Sequence, residues 1–194
     1  MNVFLVRHAE SIANAGGRTT DPANIPLSPA GLSQAIAFAE QVKKEPTRVI
    51  SSPFLRAIQT AEPLANKYDL HIEIWYELRE FNYLPADKIN NTTWEDRLPA
   101  RKAYYERDDI DYTEIGDDTE SFREFVKRVN KVISQIKDIS DKGSIYIFSH
   151  EIMIWAIYQR MAGVSVNDMW EDFKTHNFSV QNTELNQFLI NRYG

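Results

Sequence analysis

Cysteine is missing from all 194 residues, which excludes disulfide frameworks, Cys-ligated zinc, iron–sulfur clusters and thiol nucleophiles. No apolar run nears the ~20 residues that a membrane-spanning helix needs. The opening MNVFLVRHAE has no basic stretch and reaches Arg7 and His8 too early for a secretory signal. Internal repeats, low-complexity tracts, a P-loop, a G-x-G-x-x-G turn and an H-E-x-x-H pair are all lacking, and the four histidines include no close pair suited to zinc. What is present is ordinary core material: 43% hydrophobic residues with Trp 4, Tyr 9 and Phe 10. The expectation is a soluble, cytoplasmic protein of one globular domain spanning residues 1–194.

The formal net charge of -6 argues against a nucleic-acid partner. The acidity is local. Residues 106–120 hold eight acids against Arg107 alone, and the rest of the chain carries +1. That run reads as a solvated loop face and leaves an anionic substrate acceptable elsewhere.

Strands are expected at residues 2–6, 48–51, 71–78, 144–149 and 183–190. Helices are expected after Ser28-Pro29, with Leu32, Ala35, Ile36, Ala39 and Val42 as the apolar stripe, and after Ser52-Pro53, with Leu55, Ile58, Ala61 and Ala65. Two more are expected over Phe122–Ile136, where Ser121 and Glu124 spell a capping box, and from Glu151 to a stop at Gly163. Residues 84–117 show no clean period, and Pro85 and Pro99 interrupt them. They read as an insertion or lid with a short helix near residues 100–107. Strands alternating with helices imply a three-layer α/β/α sandwich on a mostly parallel sheet. Ligands of such sheets sit at the carboxyl ends of the strands. Arg7 and His8 follow the first strand, Arg56 follows the second, Glu80 the third and His150 the fourth. Five reactive side chains from distant parts of the sequence are thus expected at one edge.

These residues carry a family resemblance. Arg7-His8-Ala9-Glu10-Ser11 is similar to the R-H-[GA]-E-[ST] signature of the histidine phosphatase superfamily, which includes the cofactor-dependent phosphoglycerate mutases. Asn14, the Pro26-Leu27-Ser28 segment with Gly31 and Gln34-Ala35, the run Ser51–Thr60, Leu78-Arg79-Glu80, Glu120-Ser121 with Arg128-Val129, and Ser149-His150 follow in the family's order. The likeness covers most of the chain outside residues 84–117. Glu151 and Leu84 depart from it, each standing where the family usually has glycine.

The resemblance implies a phosphoglycerate mutase-like fold and a phosphomonoesterase that needs neither metal nor cofactor and acts on a small phosphorylated metabolite. His8 would be the nucleophile, forming a phosphohistidine. Arg7, Arg56 and His150 would hold the phosphoryl oxygens, and Glu80 would be the general acid and then base, with Glu77 as a nearby rival. Asn14, Glu151 and Tyr83 complete the substrate-contact candidates. The chemistry is consistent: neutral imidazole is a nucleophile near pH 7, and fixed guanidinium forks balance phosphoryl charge.

Blander roles compete. A lone His after a strand is more often structural; Tyr83, Arg97, Arg101, Lys102 and Tyr104 are candidates to line a substrate pocket, but most of them read as packing or surface residues of the insertion. His71 and His176 sit in no motif and read as non-catalytic. Asp109-Ile110-Asp111-Tyr112-Thr113 spells the D-x-D-x-T of another phosphatase class, but no apolar strand precedes it. The alternatives kept are a mutase and a non-catalytic phospho-ligand binder. A homodimer stays open.

Overall fold

The computed structural model describes residues 1–19, 21–116, 119–175, 179–183 and 185–189. Strands β1 (Asn2–Arg7), β2 (Pro46–Ser51), β3 (Ile72–Ile74), β4 (Ser144–Ser149) and β5 (Leu185–Leu189) form one sheet in the order β3-β2-β4-β1-β5. The first four run parallel, and β5 runs antiparallel to β1.

Alternation along the strands builds two cores, because successive side chains leave opposite faces of the sheet. Phe4, Val6, Val49, Tyr146 and Phe148 meet helices α1 (Pro29–Gln41) and α2 (Leu55–Lys67) on one face. Val3, Leu5, Ile50, Ile145 and Ile147 meet helices of the other face. Those include α5 (Phe122–Asp138), α6 (Glu151–Met161) and α7 (Val166–Thr175). The three-layer α/β/α sandwich with a mostly parallel sheet is therefore present.

Several local expectations are corrected. Leu32 and Ile36 are 47% and 53% exposed; α1 buries Gly31, Ala35 and Ala39 instead, the line along which it packs closely on α2 and on the segment Ala9-Glu10. Gly31 is required there: a Cβ would lie 1.9 Å from the carbonyl oxygen of Glu10. The third strand is shorter than expected, because residues Tyr76–Leu78 turn into a 3-10 helix. Ser52 does not cap α2, whose cap position is Phe54. Helix α7 carries no prediction; its buried Met169, Trp170 and Phe173 mark its inner face. Gly163 ends the preceding segment in the left-handed region, φ 80°.

The insertion holds α3 (Ala86–Ile89) and α4 (Trp94–Tyr105). Helix α4 starts earlier than expected and runs through Pro99, at the cost of one intrahelical bond. A Thr93–Asp96 capping box starts it. Tyr104 anchors the helix in an aromatic block with Phe81, Tyr83, Tyr112 and Trp170. The acidic run is not merely solvated. Asp111 pairs with Arg123, Glu114 with Lys88, and Asp108 with Lys174. Glu120 is buried against Arg128. Asp117, Asp118 and His176 lie outside the described residues. The final strand is observed as Leu185–Leu189; of the expected span, Thr183 lies before the strand and residues 184 and 190 are likewise outside the described residues.

Candidate active site

Parallel strands deliver Arg7, Ser52 and His150 to one edge, and backbone bonds register the loops that leave them. The amide of His8 donates to the Ser149 carbonyl (3.0 Å), and that of Ser52 to the Phe148 carbonyl (2.9 Å). The segment after His8 is then clamped by motif residues. Thr60 Oγ1 accepts from the Ala9 amide (3.0 Å), Gln34 Oε1 from the Glu10 amide (2.9 Å), and the Ser28 amide donates to the Glu10 carbonyl (2.9 Å). Far behind in sequence, Thr183 donates its amide to the Arg7 carbonyl (3.0 Å), and Asn182 Nδ2 donates to the His8 carbonyl (2.6 Å).

His8 and His150 are both buried, with ring centroids 5.2 Å apart, so one tetrahedral anion can touch both. Their tautomers follow from their partners. His8 Nδ1 lies 2.7 Å from the Ala9 carbonyl, which only accepts, so Nδ1 carries the proton and Nε2 the lone pair. Arg56 Nε donates to that lone pair at 3.1 Å. On His150 the roles reverse: Arg56 Nη2 donates to Nδ1 (3.2 Å), leaving Nε2–H to donate to Ser52 Oγ (2.8 Å). Burial first, then the Arg56 charge, pushes both imidazoles well below their ordinary value. Both rings are neutral at pH 7.

Arg56 is itself buried and bridges the two rings. Its third anchor is Nη1 to the Pro22 carbonyl (2.7 Å), and no carboxylate pairs with it among the described residues. Burial lowers its pKa to about 10, with Glu80 opposing and Arg7 assisting, so it stays charged at pH 7. Arg7 pairs with Glu151 (3.3 Å), while its buried Nε has no hydrogen-bond partner among the described residues. A buried donor left open is costly unless something accepts from it. The site is built to take an anion.

Glu80 lines the same cavity, of about 680 Å³, as do Asn14, Tyr83 and Glu151. Its carboxylate accepts from the amides of Phe81 (2.9 Å), Ile152 (3.2 Å) and Met153 (3.3 Å), and so serves the open N-terminus of α6. Burial raises its pKa, while the Phe81 and Ile152 amides and Arg56 hold it back. Glu77 instead pairs with Lys131 (2.5 Å), away from the cavity. Asn14 Oδ1 accepts from Ser11 N (3.1 Å) and Oγ (2.9 Å). Tyr83 Oη meets Tyr105 Oη at 3.3 Å. Glu151, at the position of the unusual non-glycine, ties Arg7 to the Val180 amide (3.2 Å). Among the described residues, no group of three or more acids and histidines is placed to hold a metal ion.

Two supports escaped the sequence reading. Ser52 was taken for a helix start, yet orients His150. Arg128 donates to the Glu77 and Arg79 carbonyls (2.6 and 2.7 Å), to that of Glu80 (3.3 Å) and to Glu120, holding the turn that presents Glu80. The signal for it was the Glu120…Arg128 spacing within an otherwise apolar helix face.

A parallel α/β sheet whose carboxyl edge carries two neutral imidazoles joined by an unpaired guanidinium defines an anion-binding protein of the phosphate-handling kind. The chain belongs to the histidine phosphatase superfamily (branch 1), whose model matches residues 3–191. It is 27% identical over 186 residues to the adenosylcobalamin/alpha-ribazole phosphatase of Salmonella typhi, covering 88% of this chain and 84% of that one. It is 28% identical over 167 residues to the "Probable phosphoglycerate mutase GpmB" of Escherichia coli O139:H28, covering 84% and 76%. Among solved structures it resembles the alpha-ribazole phosphatase of Shigella flexneri, with TM-score 0.76, 24% identity and 99% and 92% coverage. A mycobacterial glucosyl-3-phosphoglycerate phosphatase gives TM-score 0.75, 20% identity and 96% and 91% coverage.

Proposed function

We propose that this chain hydrolyses the phosphomonoester of a small metabolite through a phosphohistidine on His8, with arginines rather than a metal supplying positive charge. The observation that carries this reading is the His8 tautomer. The Ala9 carbonyl takes the Nδ1 proton, so Nε2 presents a lone pair beside Arg56 and within reach of His150. Membership of the superfamily and likeness to named phosphatases support it.

In this mechanism the phosphoryl oxygens bind Arg7, Arg56 and Asn14 and take over the Arg56 contacts with the two rings; His150 joins them with a proton on Nδ1, which the charge of the bound phosphate favours. His8 Nε2 attacks phosphorus as the ester P–O bond breaks, and Glu80 gives its proton to the leaving alkoxide. Water then attacks phospho-His8 while Glu80 takes a proton, and inorganic phosphate leaves. The arginine forks stabilise charge on the equatorial oxygens throughout. The raised pKa of Glu80 suits a group that must begin protonated.

The purified protein is expected to release phosphate from p-nitrophenyl phosphate in excess EDTA. His8→Ala should lose about a thousand-fold or more of that rate. Full activity in His8→Ala would refute the nucleophile. Phosphoryl exchange between hydroxyls with little free phosphate would point to the mutase alternative, and affinity without turnover to a binding protein.

A further inference from the structure

The cavity carries a charge that opposes the phosphate it would hold. Glu151 follows His150 directly, opens α6 and lines the same cavity as His8, Arg56 and Glu80. Its carboxylate closes a ring of three contacts with Arg7 and Val180. Glu151 Oε2 lies 3.3 Å from Arg7 Nη2, and Glu151 Oε1 accepts from the Val180 amide at 3.2 Å. The Val180 carbonyl completes the ring by accepting from Arg7 Nη1. Both terminal nitrogens of the Arg7 guanidinium are thereby engaged with the protein, and its buried Nε is the nitrogen without a partner among the described residues.

A glutamate in the first turn of a helix commonly serves that helix's own open amides. Glu151 has a different use. The Ile152 and Met153 amides are taken by Glu80, and the Glu151 carboxylate turns away to Arg7 and Val180. The Val180 amide anchors one of its oxygens, so the carboxylate keeps its place when an anion arrives. A phosphate oxygen at hydrogen-bond distance from Arg7 Nε would stand within about 6 Å of that carboxylate, a separation at which like charges repel appreciably in a buried site. The charge acts across the cavity: burial raises the pKa of Glu80, and Glu151 adds to the rise.

We propose that Glu151 is a positioning residue and counter-charge for Arg7, one that keeps Nε turned to the phosphoryl group and weakens the pocket's hold on free phosphate so that the product leaves. The proposal rests on the phosphomonoesterase reading for its chemistry, and on the Arg7–Glu151–Val180 ring for its geometry. Binding that is equally strong for substrate, transition state and product lowers KM without raising kcat. It also retards release. A carboxylate fixed beside the phosphate acts against all three alike, so the site gives up affinity and empties faster.

The test titrates the full chain with inorganic phosphate in a calorimeter, at mildly alkaline pH where phosphate is largely the dianion, so that binding is read apart from turnover. Glu151→Gln keeps the length of the side chain and an acceptor for the Val180 amide, and removes the charge. It is expected to bind phosphate about ten-fold tighter than the wild type. Glu151→Asp, which keeps the charge, should stay within about three-fold of the wild type. A gain of affinity is a result that damage to the fold would not give. Equal or weaker binding in Glu151→Gln, or none in either protein, overturns the counter-charge. So does a gain in Glu151→Asp as large as that in Glu151→Gln, which would make length rather than charge the cause.

In turnover of p-nitrophenyl phosphate, inhibition by added phosphate should deepen in Glu151→Gln by the factor seen in calorimetry, with KM falling alongside it. A protein that hydrolyses no ester yet binds phosphate more tightly after Glu151→Gln upholds the counter-charge and refutes the phosphomonoesterase. Turnover with a phosphate affinity that Glu151→Gln leaves unmoved does the reverse.

Discussion

Glu80 has two duties that pull in opposite directions. As an acceptor for the Ile152 and Met153 amides it favours the carboxylate, and as a buried group facing phosphate it favours the acid. Glu80→Gln keeps one acceptor oxygen and removes the proton. It is expected to slow alkyl phosphates about 100-fold or more and nitrophenyl phosphate under about ten-fold, since nitrophenolate leaves without help. Equal losses on both esters would exclude Glu80 as the donor. The two imidazoles make a separate prediction about stability. Their folded pKa values lie well below the ordinary 6.5, so the unfolded chain binds protons there that the folded chain refuses. Stability contributed by the neutral rings is therefore full above about pH 6.5 and is lost as pH falls below it. Urea midpoints should drop between pH 7.5 and pH 5.5, and His150→Gln should flatten that dependence. An unchanged slope would mean that His150 contributes none of it.

At the scale of elements, the turn bearing Glu80 is held by Arg128 of α5, whose guanidinium gathers three carbonyls and the Glu120 carboxylate. Arg128→Met leaves the buried Glu120 with only the longer contact to Arg79 (3.8 Å) and should cost about 3 kcal/mol in urea unfolding. It should also impose the leaving-group dependence of Glu80→Gln, a readout that mere loss of stability would not give. The sequence made much of this level legible. Short apolar runs ended by Arg7-His8 and Ser149-His150 read directly as strands delivering polar groups to one edge, because parallel strands buried on both faces leave little else for such runs to be. The Ser121–Glu124 capping box and the Gly163 stop were equally plain, each being a local bond or a local dihedral. What escaped depended on distant partners. Leu32 and Ile36 have the period of a buried stripe, but α2 and the segment Ala9-Glu10 approach α1 along its Gly31–Ala35–Ala39 line. Ser52 looks like a helix cap until His150, a distant residue in sequence, arrives to claim it. The insertion's helices hide because Pro99 is tolerated where the aromatic anchor of Tyr104 outweighs one missing backbone bond.

Seen at the scale of the molecule, the cavity lies between the sheet edge and an insertion held by aromatic rings, so the proposed chemistry falls to the sheet and the rest of the lining to the insertion. The order β3-β2-β4-β1-β5 has a further effect. Among the described residues strand β1 pairs with β4 and β5, which come more than half a chain later, and its last residue Arg7 and the His8 that follows are fastened by Thr183 and Asn182. Strand β1 is thus synthesised long before the strands it pairs with. Until residues 144–150 are made, His8 lacks the strand that registers it and the second imidazole beside it, a burden of high contact order that falls on the time spent in synthesis rather than on the finished fold.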